Sequence, residues 1–412
     1  MKIRSVLPSI AFLLLVATPV SAQGDFVYTN NDLRPSRLNT LSGFATEKSG
    51  ALTQLPGSPY LTGGRGGGGG FIASNRAVRV GEFLYASNTI TSDVSAFFID
   101  SETGALVPIP GSPFPTGGSS GSGFSLAATP DGRFLYAAQA GSATIRIFAI
   151  NIEDGSLSAV GDLIPLGAER SANGMKVSPD GKWLAVVLTR VPPHGAVAMF
   201  SIDPKTGELT AVEGSPFPVP GSGGPNERAA GVDINCTSEF LFVGVGSFGT
   251  TIVHVFRIDA DTGALTPIER SPFMPGVGIN SNVVLLSPDD SFLFVSNQGN
   301  GTPGSHNTVT VFYVASDGRL KVIPGSPFPA PGGQSAAGMA TDRAGRLLYV
   351  TMAEPYPTPV GVYVFSVSSE GELTPVEGSP FPTFEDLDSA LFSVTAYPGK
   401  SCPKKPKLEA GR

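Results

Sequence analysis

GMKVSPDGKWLAVVLTRVPPHGAVAMFSIDPKTGELTAVEGSPF, running from Gly174 to Phe217, divides into four short apolar runs separated by turns. Met175 to Ser178 reads as a first strand, and Pro179-Asp180-Gly181 as a tight turn into a second, Trp183 to Leu188. Ala196 to Ile202 alternates through Val197, Met199 and Ser201 as a third strand. Lys205-Thr206-Gly207 then turns into a fourth, Leu209 to Val212. Glycine in each turn supplies the positive φ that hairpin connections demand.

The same pattern recurs along the chain: a Phe, a short acidic turn, a Gly, a Leu and then Gly-Ser-Pro-Phe. The Phe stands at Phe44, Phe97, Phe148, Phe200, Phe256, Phe312 and Phe365, a period of 51 to 56 residues. The turn glycines are Gly50, Gly104, Gly155, Gly207, Gly263, Gly318 and Gly371. Four antiparallel strands repeated seven times define an all-β, seven-bladed β-propeller. The ends argue for a closed ring. Ser393 to Tyr397 is a first strand with nothing after it, and Phe26 to Thr29 is a second strand with nothing before it. Pairing the two completes a blade from Phe26 to Pro59 plus Ser393 to Tyr397 and hides two sheet edges.

Composition agrees. Only 15% of residues are charged, while 52 Gly and 37 Pro suit short strands and many turns. Lys2, Arg4, the apolar run Ile10 to Val16 and Val20-Ser21-Ala22 have the form of a secretory signal, so residues 1–22 are expected to be removed. That leaves 25 basic residues against 34 acidic ones, a balance that speaks against nucleic acid. No later stretch is apolar enough to span a bilayer. Residues 23–400 form one domain, expected as a periplasmic or extracellular monomer. Residues 401–412, with Lys404, Lys405 and Lys407, read as a flexible basic tail. Lys400 is grouped with these lysines as solvated. Cys236 and Cys402 permit one disulfide if their Cα atoms come within ~7 Å. The sequence leaves that pairing open.

Thr129-Pro130-Asp131-Gly132-Arg133-Phe134-Leu135-Tyr136 and Ser178-Pro179-Asp180-Gly181-Lys182-Trp183-Leu184 resemble the repeat of the lactonase-like seven-bladed propellers. That family includes cycloisomerase-type 6-phosphogluconolactonases, muconate-lactonising enzymes and secreted YVTN-repeat relatives. The resemblance spans nearly the whole chain after the signal. It implies that enzymatic members carry His or Arg-His just ahead of an inner strand. At the matching places stand Ser122 to Phe124, Ser171 to Asn173, Arg228 to Ala230, Asn280 to Asn282 and Ser335 to Ala337, none of them histidine.

A residue present in every blade is structural, so a site must come from what differs between blades. This sets aside Ser112, Ser215 and Ser326 of the Gly-Ser-Pro-Phe motif, whose Phe is expected to pack between blades. The run Gly63 to Gly70 lacks a Walker ending and reads as a flexible connection. His194 and His306 fall in loops and His254 inside a third strand, with no metal-ligand spacing. Neither a metal nor a cofactor is expected.

The connections that lead to the next inner strand do vary. They carry Arg65, Glu169, Arg170, Asn173, Glu227, Arg228, Asn282 and Gln334 as candidate ligand-binding residues at the channel mouth. Glu169-Arg170 and Glu227-Arg228 occupy nearly the same register in neighbouring blades. Rim salt bridges would explain such pairs. Alternatively, Arg170 and Arg228 could hold a carboxylate while Glu227 acts as base. Scarce histidine favours a propeller that binds a protein or small ligand on this face without catalysis; a lactone hydrolase or cycloisomerase is the alternative.

Overall fold

The computed structural model describes residues 25–32, 37–67, 75–119, 124–167, 172–189, 195–220, 228–246, 250–278, 280–298, 307–330, 335–353, 361–383, 391 and 393–402. They form seven antiparallel sheets, each with an inner, second, third and outer strand. Blades 1 to 6 begin with inner strands Ala77–Val80, Phe124–Ala128, Ala172–Val177, Arg228–Ile234, Ser281–Leu286 and Ser335–Thr341. Blade 7 is shared between the termini. Ser393–Tyr397 pairs with Phe26–Asn30, from Asn30 opposite Ser393 to Phe26 opposite Tyr397. The ring therefore closes as the sequence predicts.

In the Gly174 to Phe217 repeat, the second and third strands are Trp183–Leu188 and Ala196–Ile202. All six residues of Trp183–Leu188 are buried, because the blade has a neighbour on each face. Seven apolar clusters result, one at each joint between neighbouring blades, including blade 6 against 7 and blade 7 against 1. Burial at ~25 cal/mol per Å2 of apolar surface makes these joints the main source of cohesion.

Each turn glycine fits one such joint. Its φ lies between +72° and +89°, and a Cβ added there would sit 2.4 to 2.9 Å from the first side chain of the preceding blade's second strand. The pairs are Gly50 on Leu347, Gly104 on Phe26, Gly155 on Phe83, Gly207 on Phe134, Gly263 on Trp183, Gly318 on Phe240 and Gly371 on Phe292. At three joints a tyrosine adds a bond: the Tyr28, Tyr85 and Tyr136 hydroxyls donate to the carbonyls of Gly104, Gly155 and Gly207.

The Gly-Ser-Pro-Phe motif breaks the outer strand. Ser58, Ser112, Ser215, Ser271, Ser326 and Ser379 each accept a third-strand N–H at 2.9 to 3.1 Å. The Phe of several copies then pairs back onto the third strand, as Phe114 does opposite Val94 and Phe217 opposite Val197. It also packs at the joint with the next blade, as expected. Blade 2 lacks the motif, and its outer strand, Leu157–Pro165, runs unbroken. The serines are thus hydrogen-bond acceptors for the sheet.

Gly63 to Arg65 belongs to the outer strand Tyr60–Arg65 and not to a loose connection. A Cβ on Gly64 would collide with Asn88 and Asp93, so glycine there allows a close approach. The pairing that the sequence leaves open is made at the end of the described chain. Cys236 and Cys402 form a disulfide with Cα atoms 5.3 Å apart, and Gly399 bridges to Asp342. Lys400 is not solvated: only 15% of its side chain is exposed, and its Nζ lies 3.3 Å from Asp233 Oδ2. Residues 403–412 and 1–24 lie outside the described residues. Among those described, no helix is long and apolar enough to cross a membrane.

Candidate functional site

Outer-strand connections enter the inner strands at one end of the channel, here called upper. Four consecutive inner strands carry a β-bulge at this end, in blades 3, 4, 5 and 6. In each, two residues face one on the second strand: Asn173 and Gly174, Ala230 and Gly231, Asn282 and Val283, Ala337 and Gly338. A bulge re-aims side chains and frees backbone groups, which is why such irregularities mark functional rims. The unpaired carbonyls here are tied between blades. Ser125 donates to the Asn173 carbonyl and Ser296 to the Ala337 carbonyl.

Asn173 and Asn282 therefore occupy equivalent bulge positions. Asn173 is buried. Arg228 is the exposed first residue of its inner strand, opposite Gly246. Arg65 is brought elsewhere. It ends the outer strand of blade 7, and its backbone is held by Thr91 and Ile90 of blade 1 at the rim of the disc. Glu169, Arg170, Glu227 and Gln334 lie outside the described residues. So do His194 and His306, whereas His254 is buried in its third strand beside Phe256.

One charged pair at the upper end escaped the sequence reading. Arg76 stands immediately before the inner strand of blade 1, the position the family resemblance singles out. No local pattern marks it, since the inner strand it precedes, Ala77–Val80, is short and lacks the Pro-Asp-Gly turn of blades 2 and 3. Arg76 donates to Asp32 Oδ2, and both side chains are fully buried. Asp32 has φ +44°. Its Oδ1 accepts the Gly67 N–H at 3.0 Å and the Thr89 hydroxyl at 3.2 Å. Burial pulls the Arg76 pKa down to about 10, which leaves it charged at neutral pH.

The pair belongs to a polar seam where blade 7 meets blade 1. Asn30 donates to the carbonyls of Arg76 and Ser87, and Asn39 links Asn30 to Asn88. A repeated device anchors it: the Asn31 and Asn88 amides each span two third-strand acceptors, Thr40 with Ser42 and Asp93 with Ser95. Asn297 spans Thr308 and Thr310 in blade 5. Both side chains being fully buried, Asp32 and Arg76 fasten the closing joint. No group of three His, Cys, Asp or Glu among the described residues could hold a metal.

The strand pairing defines a closed seven-bladed propeller with four bulged inner strands at one end of its channel. The chain belongs to the lactonase seven-bladed β-propeller family, whose model matches residues 18–173 and 250–378. Residues between those segments form blades of the same kind. Comparison with curated proteins gave no match. Among solved structures, it is similar to a candidate 6-phosphogluconolactonase from Bacteroides fragilis, at 19% identity and TM-score 0.68 over 92% of this chain and 99% of that one. It is also similar to the periplasmic gluconolactonase of Pseudomonas aeruginosa, at 16% identity and TM-score 0.65 over 89% and 99%. At these identities the likeness shows the fold alone.

Proposed function

We propose that this chain acts on a lactone bearing a carboxylate, as a hydrolase or cycloisomerase working at the upper mouth. Membership of the lactonase family carries this reading. The bulged rim supports it by placing Arg228 and the Asn173 and Asn282 positions around the inner strands of blades 3 to 5. In the reaction, Arg228 and Arg170 hold the substrate carboxylate in bidentate fashion. Glu227 takes a proton from water, and the hydroxide attacks the lactone carbonyl. Collapse of the tetrahedral intermediate breaks the ring C–O bond. The ring oxygen regains the proton as an alcohol, so lactone and water give one hydroxy acid. Run without water, the same groups would interconvert a lactone and an unsaturated acid.

The signal-like N-terminus, and the periplasmic location that the Pseudomonas relative's name records, support action outside the cytoplasm. The test is turnover on a panel of carboxylated lactones. Arg228→Ala and Glu227→Gln are each expected to lower kcat/KM by at least about 100-fold, with unfolding curves unchanged. Turnover that survives both changes refutes the assignment. Saturable lactone binding without turnover in the unaltered protein would instead support a non-catalytic binder.

A further inference from the structure

Below the bulged rim the channel holds a cavity of about 240 Å3, whose wall begins at Met175 and Met339, the residues that follow two of the bulges. Inner strands of blades 1, 2, 3, 5, 6 and 7 wall it, and Gly399 and Lys400 of the tail contribute to it. The ionisable side chains on its wall are all cations: Arg79, Lys176 and Lys400. Lys176 and Lys400 share one carboxylate, with Nζ 2.7 and 3.3 Å from the two oxygens of Asp233. Asp290 stands behind them, accepting the Cys236 N–H. Arg79 pairs with no carboxylate among the described residues. It donates to the Gly81 carbonyl at 2.7 Å and lies over the Tyr397 ring. Thr341 also lines the cavity, is 1% exposed, and its Oγ1 has no hydrogen-bond partner among the described residues.

A buried hydroxyl without a partner is costly, and a half-buried guanidinium with no carboxylate beside it, on a wall whose other ionisable groups are lysines, is a second deficit. Both deficits are met by one kind of guest, an oxyanion that accepts from Arg79, Thr341 and a lysine. The volume falls below the ~300 Å3 at which drug-sized pockets begin, which limits the guest to a small one.

We propose that the lower channel binds a small oxyanion, of the size of phosphate or a four-carbon dicarboxylate, and that the disulfide-held tail completes the site by presenting Lys400. Asp233 and Lys176 fall in the stretch that the family model leaves unmatched, whereas Arg79 and Thr341 lie within matched segments; none of these residues is among those assigned to lactone turnover above.

Calorimetric titration of the oxidised full chain with inorganic phosphate and, separately, succinate tests it. One of the two is expected to bind at a single site, and which one binds identifies the chemistry. Arg79→Gln should weaken binding by at least about tenfold and Thr341→Val by about threefold to tenfold, from the loss of a charged and a neutral hydrogen bond. Neither change touches Asp233. Cys402→Ser should weaken binding as well, because Lys400 is no longer held. Reciprocally, the bound anion should slow proteolytic cleavage after Lys400 in that variant. Absence of saturable binding of both anions up to about 10 mM, a free energy near −3 kcal/mol at most, overturns the proposal. So does binding that Arg79→Gln and Thr341→Val leave unchanged, since the anion then sits elsewhere. Lactone turnover should be unaffected in both variants.

Discussion

Replacing Gly104 by alanine separates the strain of a turn from the contact that joins two blades. Gly104 has φ +72°, and an added Cβ would lie 2.5 Å from the Phe26 ring, with the Tyr28 hydroxyl bonded to its carbonyl at 2.7 Å. Gly276 is the control: its φ is +74°, yet nothing lies within 4 Å of its Cβ position. Alanine in the left-handed region costs about 1–2 kcal/mol at either site. Overpacking against Phe26 adds about 1–3 kcal/mol at Gly104 alone. For a chain of 412 residues the unfolding entropy is of order 0.9 kcal/mol per K, so 1 kcal/mol shifts Tm by about 1 °C. Scanning calorimetry should therefore show a fall of about 1–2 °C for Gly276→Ala and about 2–5 °C for Gly104→Ala. Denaturant midpoints should rank the two in the same order. Equal losses would show that the seven glycines serve only their turns, and that the joint between neighbouring blades does not depend on them.

Three further outcomes are expected. Ending the chain after Cys402 should leave thermal stability nearly unchanged, whereas Cys402→Ser should cost up to about 5 kcal/mol by loop entropy, read as a fall in the oxidised protein's midpoint. Asp32→Asn leaves Arg76 buried without its counter-charge and should destabilise by about 3–5 kcal/mol in urea unfolding; a change under about 1 kcal/mol would remove the pair from the closing joint. Burial by itself would raise the Asp233 pKa, but the Lys176 and Lys400 ammonium groups overcome this and hold the carboxyl far below its ordinary 3.8. Below about pH 4 the unfolded chain then binds more protons than the folded one, so this stabilisation is present above that pH and drains away as pH falls toward the folded value. The urea midpoint should drop between about pH 5 and 3, and less steeply in Asp233→Asn.

The blade repeat was legible because each of its parts is local. Pro179-Asp180-Gly181 and Thr206-Gly207 specify turns within a few residues, and the strands between them show their own periodicity. Ring closure was legible too, since Phe26 to Thr29 and Ser393 to Tyr397 each supply the strand the other end lacks. The Gly-Ser-Pro-Phe serines could be dismissed as nucleophiles by repetition alone, although their role as acceptors for third-strand N–H groups could not be read. Alternation was less informative than usual, because a blade buries both of its faces and Trp183–Leu188 is apolar throughout.

By itself, the sequence determined seven four-stranded blades and the strand exchange that closes them. Tertiary structure alone decided that Arg76 meets Asp32, that Cys402 reaches Cys236, and that Lys400 turns into the channel beside Asp233. These partners lie 44, 166 and 167 residues apart. Nothing local couples positions so distant; the circular arrangement of the blades brings them together, and burial then makes each charge depend on the other.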